Sequence, residues 1–408
     1  MKKKFLSVIL FDKLSQVGYK RTIRDINFLI KSLNKNDKLT IIDLRKYYFG
    51  KKIIKGFNYK NRKIKYFKPK NIIDFWRFTK NKIIYGYGPI NPEIRTILIF
   101  ILIKFFKIRL FFFNSYGFYL NENPLDQPDI KLKVFYFFKS KLLYYFYRIL
   151  SVLKILPTIF CYFETSEKRI QQINNTKIYK LKQNFKYLDF TYFKKVKRIN
   201  CIYHDEIISR KFKKTNKSIV LIDSGPGHPD SEKRYSNFKR LNDKKINFFY
   251  FKVIKKLKQF SKNNKYKIYF CKHPKTYYPK NCFKNIKNIK NIDFNFKADK
   301  HIFSAKYIFF TGGSSMINKA IYLKKKFFVL KSEQTDKNAL RLLDSVNSIF
   351  KLNYIDIDNK KIKRNATNTN LFSEKKYKRF IADNLVFKKN VHSSIIIKDT
   401  LFKDYAEE

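Results

Sequence analysis

The chain has 408 residues, 44 % hydrophobic and 18 % aromatic, with 91 Lys and Arg against 31 Asp and Glu. This apolar content excludes an intrinsically disordered polycation, and the length accommodates two domains with separate cores. The net charge of +60 would suit a polyanion, but Lys, Asn, Ile, Phe and Tyr are abundant together throughout, as a biased nucleotide composition produces. No specific nucleic-acid partner is therefore expected; a peripheral attraction to an anionic membrane surface fits dispersed charge better.

The N-terminal "MKKKFLSVILFD" begins with positive charge, but its apolar run is short and broken by Asp12 and Lys13. It reads as a first strand, not a signal peptide. A turn at Gly18 leads into the helical pattern "RTIRDINFLIKSL". "LTIIDL" and "NKIIYGYG" read as strands, "IRTILIFILIKFFKI" as a helix and "RLFFFNSYG" as a further strand. Two apolar stretches invite a membrane reading, Ile97 to Phe113 and Leu142 to Phe163. The first holds Lys104, Lys107 and Arg109; the second holds Arg148, Lys154 and Pro157. Each mid-bilayer charge costs about 2.5–3.5 kcal/mol, so buried elements or a helix lying in the interface are expected instead. Asp12, Gly18, Gly86 and Gly88 fall near expected strand ends, where ordinary βα turns account for them.

The expected organisation is α/β: an N-terminal domain over 1–195, a polar linker over 196–217 and a C-terminal domain over 218–408, with a substrate cleft between two Rossmann-like domains. Cys161, Cys201, Cys271 and Cys282 show no Cys-x-x-Cys spacing, so neither a disulfide framework nor a zinc site is expected, and a reducing cytoplasm fits.

In the second half "SIVLID" reads as a strand, "NDKKINFFYFKVIKKLKQFSKNN" as a long helix, and "YKIYFC" as a strand. "YIFFTGGSSMINKAIYLKKKFFVL" is a strand, a glycine turn, a helix with Ile317, Ala320, Ile321 and Leu323 at helical spacing, and another strand. "TDKNALRLLDSV" follows with a helical pattern. Three loops thus follow three strands: "DSGPGHPD", "KHPK" and "TGGSS". In a parallel sheet they share one edge.

Each loop has a chemical and a bland reading. Gly312 and Gly313 admit a close anion, and Ser314 and Ser315 add hydroxyl donors; glycine turns and serine helix caps are also common. His273, between Lys272 and Pro274, can donate to a phosphate oxygen or protonate a leaving group, or be a loop histidine. Asp223 can act as general base towards an acceptor hydroxyl, or bond to its own turn; His228 and Asp230 share that ambiguity. Donors aimed at a departing pyrophosphate would lower the barrier without a metal. No HExxH, His-x-His, P-loop or Gly-x-Gly-x-x-Gly pattern occurs.

An aspartate at a strand end, a His-Pro pair and a Ser-Ser pair before a helix occur in this order in bacterial sialyltransferases and polysialyltransferases of the GT-B fold. His273-Pro274 and Ser314-Ser315 resemble two of their motifs; Asp223-Ser224-Gly225 matches only part of the third, lacking its second acid. The layout from Lys217 to Leu330 is also similar to GT-B proteins of capsule and O-antigen loci. The resemblance implies a metal-independent Leloir glycosyltransferase. Asp223 and His273 would be catalytic. Lys272, Pro274, Gly312, Gly313, Ser314 and Ser315 would bind the donor, a nucleotide sugar with CMP or UDP. The acceptor would be a glycan or lipid-linked glycan of surface polysaccharide or lipopolysaccharide, met at the cytoplasmic face of the plasma membrane. Rivals are a CDP-glycerol-type polyol-phosphate transferase on the same fold, an epimerase, for which the sequence offers few acids and histidines, and a basic nucleic-acid-binding protein.

Overall fold

Short runs rich in Ile, Val, Leu and Phe become strands covered on both faces, as in parallel sheets sandwiched between helices. The computed structural model describes residues 3–10, 16–33, 37–45, 57, 59–87, 94–114, 149–150, 153, 158–175, 193–209, 218–226, 241–262, 266–273, 276–279, 282, 289–293, 298–314, 316–333, 343, 346–347, 349–350, 352–359 and 373–402. They form two units. The first takes in the described residues up to Asp205 and those from Val386 onward; the second takes in those from Glu206 to Leu385.

The first unit contains β1 (Lys3–Leu10), α1 (Gln16–Ile30), β2 (Leu39–Asp43), β3 (Ile64–Phe67), α2 (Ile72–Thr79), β4 (Lys82–Tyr87), α3 (Ile94–Phe105), β5 (Arg109–Asn114), β6 (Ile159–Glu164), α4 (Glu167–Asn175), β7 (Phe193–Arg198) and α5 (Ile202–Ile208). α5 ends in the second unit. The sheet order is β3-β2-β1-β4-β5-β6-β7, with every neighbour parallel. Two apolar layers cover it. Ile26 and Leu29 of α1 lie in one; Phe75 of α2 and Phe100 and Ile103 of α3 lie in the other. The sides follow from chain direction. A right-handed crossover places helices that lead towards β7 on one face and those that lead towards β3 on the other.

The second unit contains β8 (Ser218–Ile222), α6 (Asp243–Lys262), β9 (Lys267–Lys272), β10 (Ile289–Asp293), α7 (Ala298–Ser304), β11 (Ala305–Phe310), α8 (Met316–Tyr322), β12 (Lys326–Lys331), β13 (Asn353–Asp356) and α9 (Glu374–Asn384). Its order is β10-β9-β8-β11-β12-β13, again all parallel. From β8 the chain moves out to β9 and β10, then returns to the other side of β8 as β11. The order therefore reverses between β8 and β11, the place where open α/β sheets bind ligands.

Several expectations are corrected here. Gly18 lies inside α1, not in a turn before it. The expected linker over 196–217 contains the end of β7 and all of α5. The chain beyond Val386 rejoins the first unit, because α10 (Ser393–Phe402) buries Ile397 and Leu401 in that unit's core. Asn200 fixes the return. Its Oδ1 accepts from the amides of Phe387 and Lys388 at 2.6 and 2.9 Å, and its Nδ2 donates to the carbonyls of Lys388 and Val391 at 2.9 and 2.6 Å. The apolar stretch from Ile97 to Phe113 is divided between α3 and β5. Among the described residues no helix is long and apolar enough to cross a membrane. "TDKNALRLLDSV" lies mostly outside the described residues.

Gly86 sits within β4, where a Cβ would come 2.8 Å from Ile9 Cδ1 and 3.0 Å from Ile108 Cγ2. Packing explains this glycine. Asp12 and Gly88 lie outside the described residues.

Candidate active site

The three loops do arise from adjacent strands. Ile222, the last residue of β8, pairs with Cys271 of β9 on one side and Phe310 of β11 on the other. Asp223 therefore stands between Lys272 and Thr311, with neighbouring strands about 5 Å away on either hand. Backbone bonds continue this pairing past the strand ends: Asp223 N donates to Cys271 O at 3.1 Å, and Thr311 N donates to Ile222 O at 3.3 Å.

The Asp223 carboxylate is 0 % exposed. Oδ1 accepts from Thr311 Oγ1 at 2.6 Å and from the Gly225 amide at 3.0 Å. Oδ2 accepts from Tyr250 Oη at 2.7 Å and from Tyr278 Oη. Two of these hydroxyls reach further. Thr311 Oγ1 accepts from the Ser224 amide at 2.9 Å, and Tyr278 Oη accepts from the His273 amide at 2.9 Å. One carboxylate thus fastens the loop after β8, the start of the glycine turn after β11, and the His273 loop after β9. A buried ion is tolerable only when its lone pairs are taken up, and four donors do this. Burial pushes the Asp223 pKa up, with the bonds from Thr311, Tyr278 and Tyr250 opposing it. Burial beside this carboxylate pushes both tyrosine hydroxyls up as well, so they remain protonated donors. The Cys282 thiol is pushed up to about 12 by burial and by Asp223.

The sequence offered Asp223 as a general base. In the structure this carboxylate has no exposed surface and holds four donors, so it ties together the loops around it. Gly225 is required for this packing. A Cβ there would come 2.8 Å from Asp223 Oδ1 and 2.9 Å from Tyr250 Oη.

His273 is half-buried directly after β9. Lys272, the last residue of β9, lies with its Nζ 5.5 Å from the centre of the Tyr278 ring. Gly312 is buried, and Gly313 and Ser314 are half-buried. Ser314 Oγ accepts from the Met316 amide at 3.3 Å, so the bland helix-cap reading is realised; the hydroxyl proton is still a donor. α8 is held by Lys319, 0 % exposed, whose Nζ donates to Glu206 Oε2 at 2.9 Å. Pro274, Ser315, His228 and Asp230 lie outside the described residues. Among the described residues no group of three metal-ligating side chains occurs.

Thr311, Tyr250 and Tyr278 were missed in the sequence. Thr311 begins "TGGSS" and Tyr278 follows His273 by five residues, so both lay within reach of a closer reading. Tyr250, in the middle of α6, carried no signal. A similar hub in the first unit was missed too. Glu164, at the end of β6, is 0 % exposed. It accepts from Asn114 Nδ2 at 3.0 and 3.1 Å, from Tyr162 Oη at 3.0 Å and from the amides of Thr165 and Ser166. Burial raises its pKa against the nearby charge of Arg169.

No protein-family model matches the chain, and no curated protein matches it in sequence. Among solved structures, a variant of the wall teichoic acid polymerase TagF is similar over 100 % of this chain and 89 % of its own, with 10 % identity and a TM-score of 0.51. The UDP-GlcNAc 2-epimerase from Methanocaldococcus jannaschii covers 98 % of this chain and 99 % of its own, at 14 % identity and a TM-score of 0.45. A glycosyltransferase from Rickettsia africae covers 100 % of both, at 11 % identity and 0.41. At 10 % identity the likeness to TagF shows the fold alone. With two parallel sheets of Rossmann type, the chain has a GT-B-like fold.

Proposed function

We propose that this protein is a glycosyltransferase. It moves a sugar from a nucleotide-sugar donor, UDP- or CMP-linked, to a glycan or lipid-linked acceptor of a surface polysaccharide such as capsule, O-antigen or lipopolysaccharide. The observation that carries the reading is the convergence of three strand-end loops on one buried carboxylate at the β8–β11 switch point. The resemblance of His273-Pro274 and Ser314-Ser315 to transferase motifs supports it.

In this reading the donor's phosphates lie over the switch point. Gly312 and Gly313 let backbone approach them, Ser314 donates its hydroxyl proton, and His273 and Lys272 face the charge that grows as the glycosidic bond breaks. Fixed donors stabilise that charge without reorganising during the reaction, so the step needs no metal. Asp223 acts as a positioning residue: through Thr311 and Tyr278 it holds the donor-binding loops in place. The protein works in the cytoplasm, at the inner face of the plasma membrane.

A second reading, polyol-phosphate transfer, is accommodated by the same fold, which does not separate the two. Thermal unfolding with UDP-sugars, CMP-sugars, CDP-glycerol and a random RNA discriminates. Selective protection by a nucleotide sugar supports the transferase, and protection by CDP-glycerol alone supports the second reading. Steeply salt-dependent binding of RNA without any nucleotide effect supports the nucleic-acid rival. No shift with any nucleotide refutes both transferase readings.

A further inference from the structure

The first unit has an apolar surface that its fold does not use. α2 buries Phe75 and Thr79 against the sheet, yet Ile72 and Ile73 are 55 % exposed and Trp76 is 45 % exposed. α3 buries Phe100 and Ile103 in the same layer and exposes Ile101 and Phe105, the latter at 71 %. The two helices meet: the Phe75 and Phe106 rings stand edge to face at 4.8 Å, and Phe105 abuts Phe106 at 5.1 Å. Leu150 packs into this layer, and the helical turn around it exposes Ile149 and Leu153. Three neighbouring segments over one sheet face thus turn large apolar side chains outward. Scattered exposed hydrophobics are ordinary; several on neighbouring segments over one sheet face point to an interaction surface.

Charge identifies the occupant. The described residues of α2, α3 and their flanking turns carry Lys70, Arg77, Lys80, Lys104 and Lys107, all exposed, against Asp74. The Asp74 carboxylate accepts from the Lys70 amide at 2.9 Å. Lys80 Nζ stands 5.0 Å from the centre of the Trp76 ring. An indole with a lysine over its ring, on a helix that also carries exposed Ile and Arg, is the composition of a helix lying in a bilayer interface. Its apolar side chains enter the acyl boundary while the lysines reach back to phosphate.

We propose that the α2–α3 face of the first unit is the surface by which this protein docks on a bilayer bearing anionic phospholipid. This deepens the membrane association stated above, and it is independent of the reaction assigned.

Trp76 is the single tryptophan of the chain, so the wild-type protein carries its own reporter at the centre of the patch. With phosphatidylcholine vesicles containing phosphatidylglycerol, its emission moves to the blue and is quenched by brominated acyl chains. Pure phosphatidylcholine produces little of either. In flotation assays, Trp76→Ser with Phe105→Ser weakens partitioning by more than about tenfold, and Lys104→Gln and Lys107→Gln each weaken it about fivefold. Phe248→Ser with Phe251→Ser, on the exposed side of α6 in the second unit, leaves it unchanged. Far-UV circular dichroism confirms that each variant is folded. Undiminished flotation of the Trp76/Phe105 variant, or flotation without quenching of Trp76, overturns the proposal. So does a blue shift that follows protein concentration without lipid, which would mark the patch as a self-association surface. All of these readouts are free of nucleotide, so their failure is distinct from failure of the transferase reading.

Discussion

Tyr278→Phe removes one oxygen from the Asp223 hub and tests whether that hub holds the three loops together. The lost hydroxyl donates to Asp223 Oδ2 and accepts from the His273 amide. A hydrogen bond to a charged group contributes about 1.5–3 kcal/mol, and the amide bond adds about 1 kcal/mol because water reaches half-buried His273 only in part. The expected loss is therefore about 2.5–4 kcal/mol, large against a typical domain stability of roughly 5–15 kcal/mol. Urea unfolding followed by far-UV circular dichroism measures it. Trp76 lies in the first unit, so its fluorescence provides a separate record of that unit's unfolding. The pH dependence adds a signed test. Asp223 has a folded pKa above its unfolded one, so its ionisation weakens the fold as pH rises through the interval between the two. Removing a donor to the carboxylate raises the folded value further. The stability gap between wild type and Tyr278→Phe thus widens from acid to neutral pH. A loss under about 0.5 kcal/mol, the range of an ordinary surface substitution, or a gap that narrows with rising pH, would refute the reasoning.

Other consequences follow from the same geometry. Gly225→Ala forces a Cβ against Asp223 Oδ1 and Tyr250 Oη and is expected to cost about 1–3 kcal/mol by overpacking, read in the same urea titration. In the first unit Arg45 donates to both oxygens of Asp43, at 2.8 and 2.7 Å, with both side chains buried. Burial raises the Asp43 pKa, but the bonds and charge of Arg45 outweigh it and the net shift is downward. This pair stabilises the fold above the unfolded pKa of Asp43 and loses that contribution as pH falls through the folded value. Arg45→Leu should therefore cost about 3–5 kcal/mol at neutral pH and less in acid, as measured by urea midpoints at several pH values. Lys107 ends α3 in the left-handed region, at φ 52°, where glycine is unstrained. Lys107→Gly is expected to stabilise by roughly 0.5–1 kcal/mol, visible as a raised melting temperature.

The alternation of strands and helices was legible because buried parallel strands need unbroken apolar runs. "SIVLID", "YKIYFC" and "YIFF" became β8, β9 and β11. Their shared edge followed from parallel topology, so the site's location could be read before its contacts. β3 was missed because "IKYF" interleaves lysine with apolar residues at a sheet margin. The C-terminal return was missed because it depends on Asn200, almost two hundred residues from the backbone it clamps. The strand-end position of Asp223 was legible; its hydrogen-bond partners were not. A sequence places a carboxylate at a strand end, but Tyr250, Tyr278 and Thr311 close over it only through tertiary packing.

The central claim is that the β8–β11 switch point receives the phosphate or phosphates of a nucleotide-sugar donor. Calorimetric titration of the nucleotide that protects the wild-type protein tests it most directly, with wild type compared against His273→Ala at equal thermal stability. Loss of one charge-assisted bond to phosphate predicts a Kd weakened by about tenfold or more. An unchanged Kd would place the nucleotide elsewhere and contradict the account.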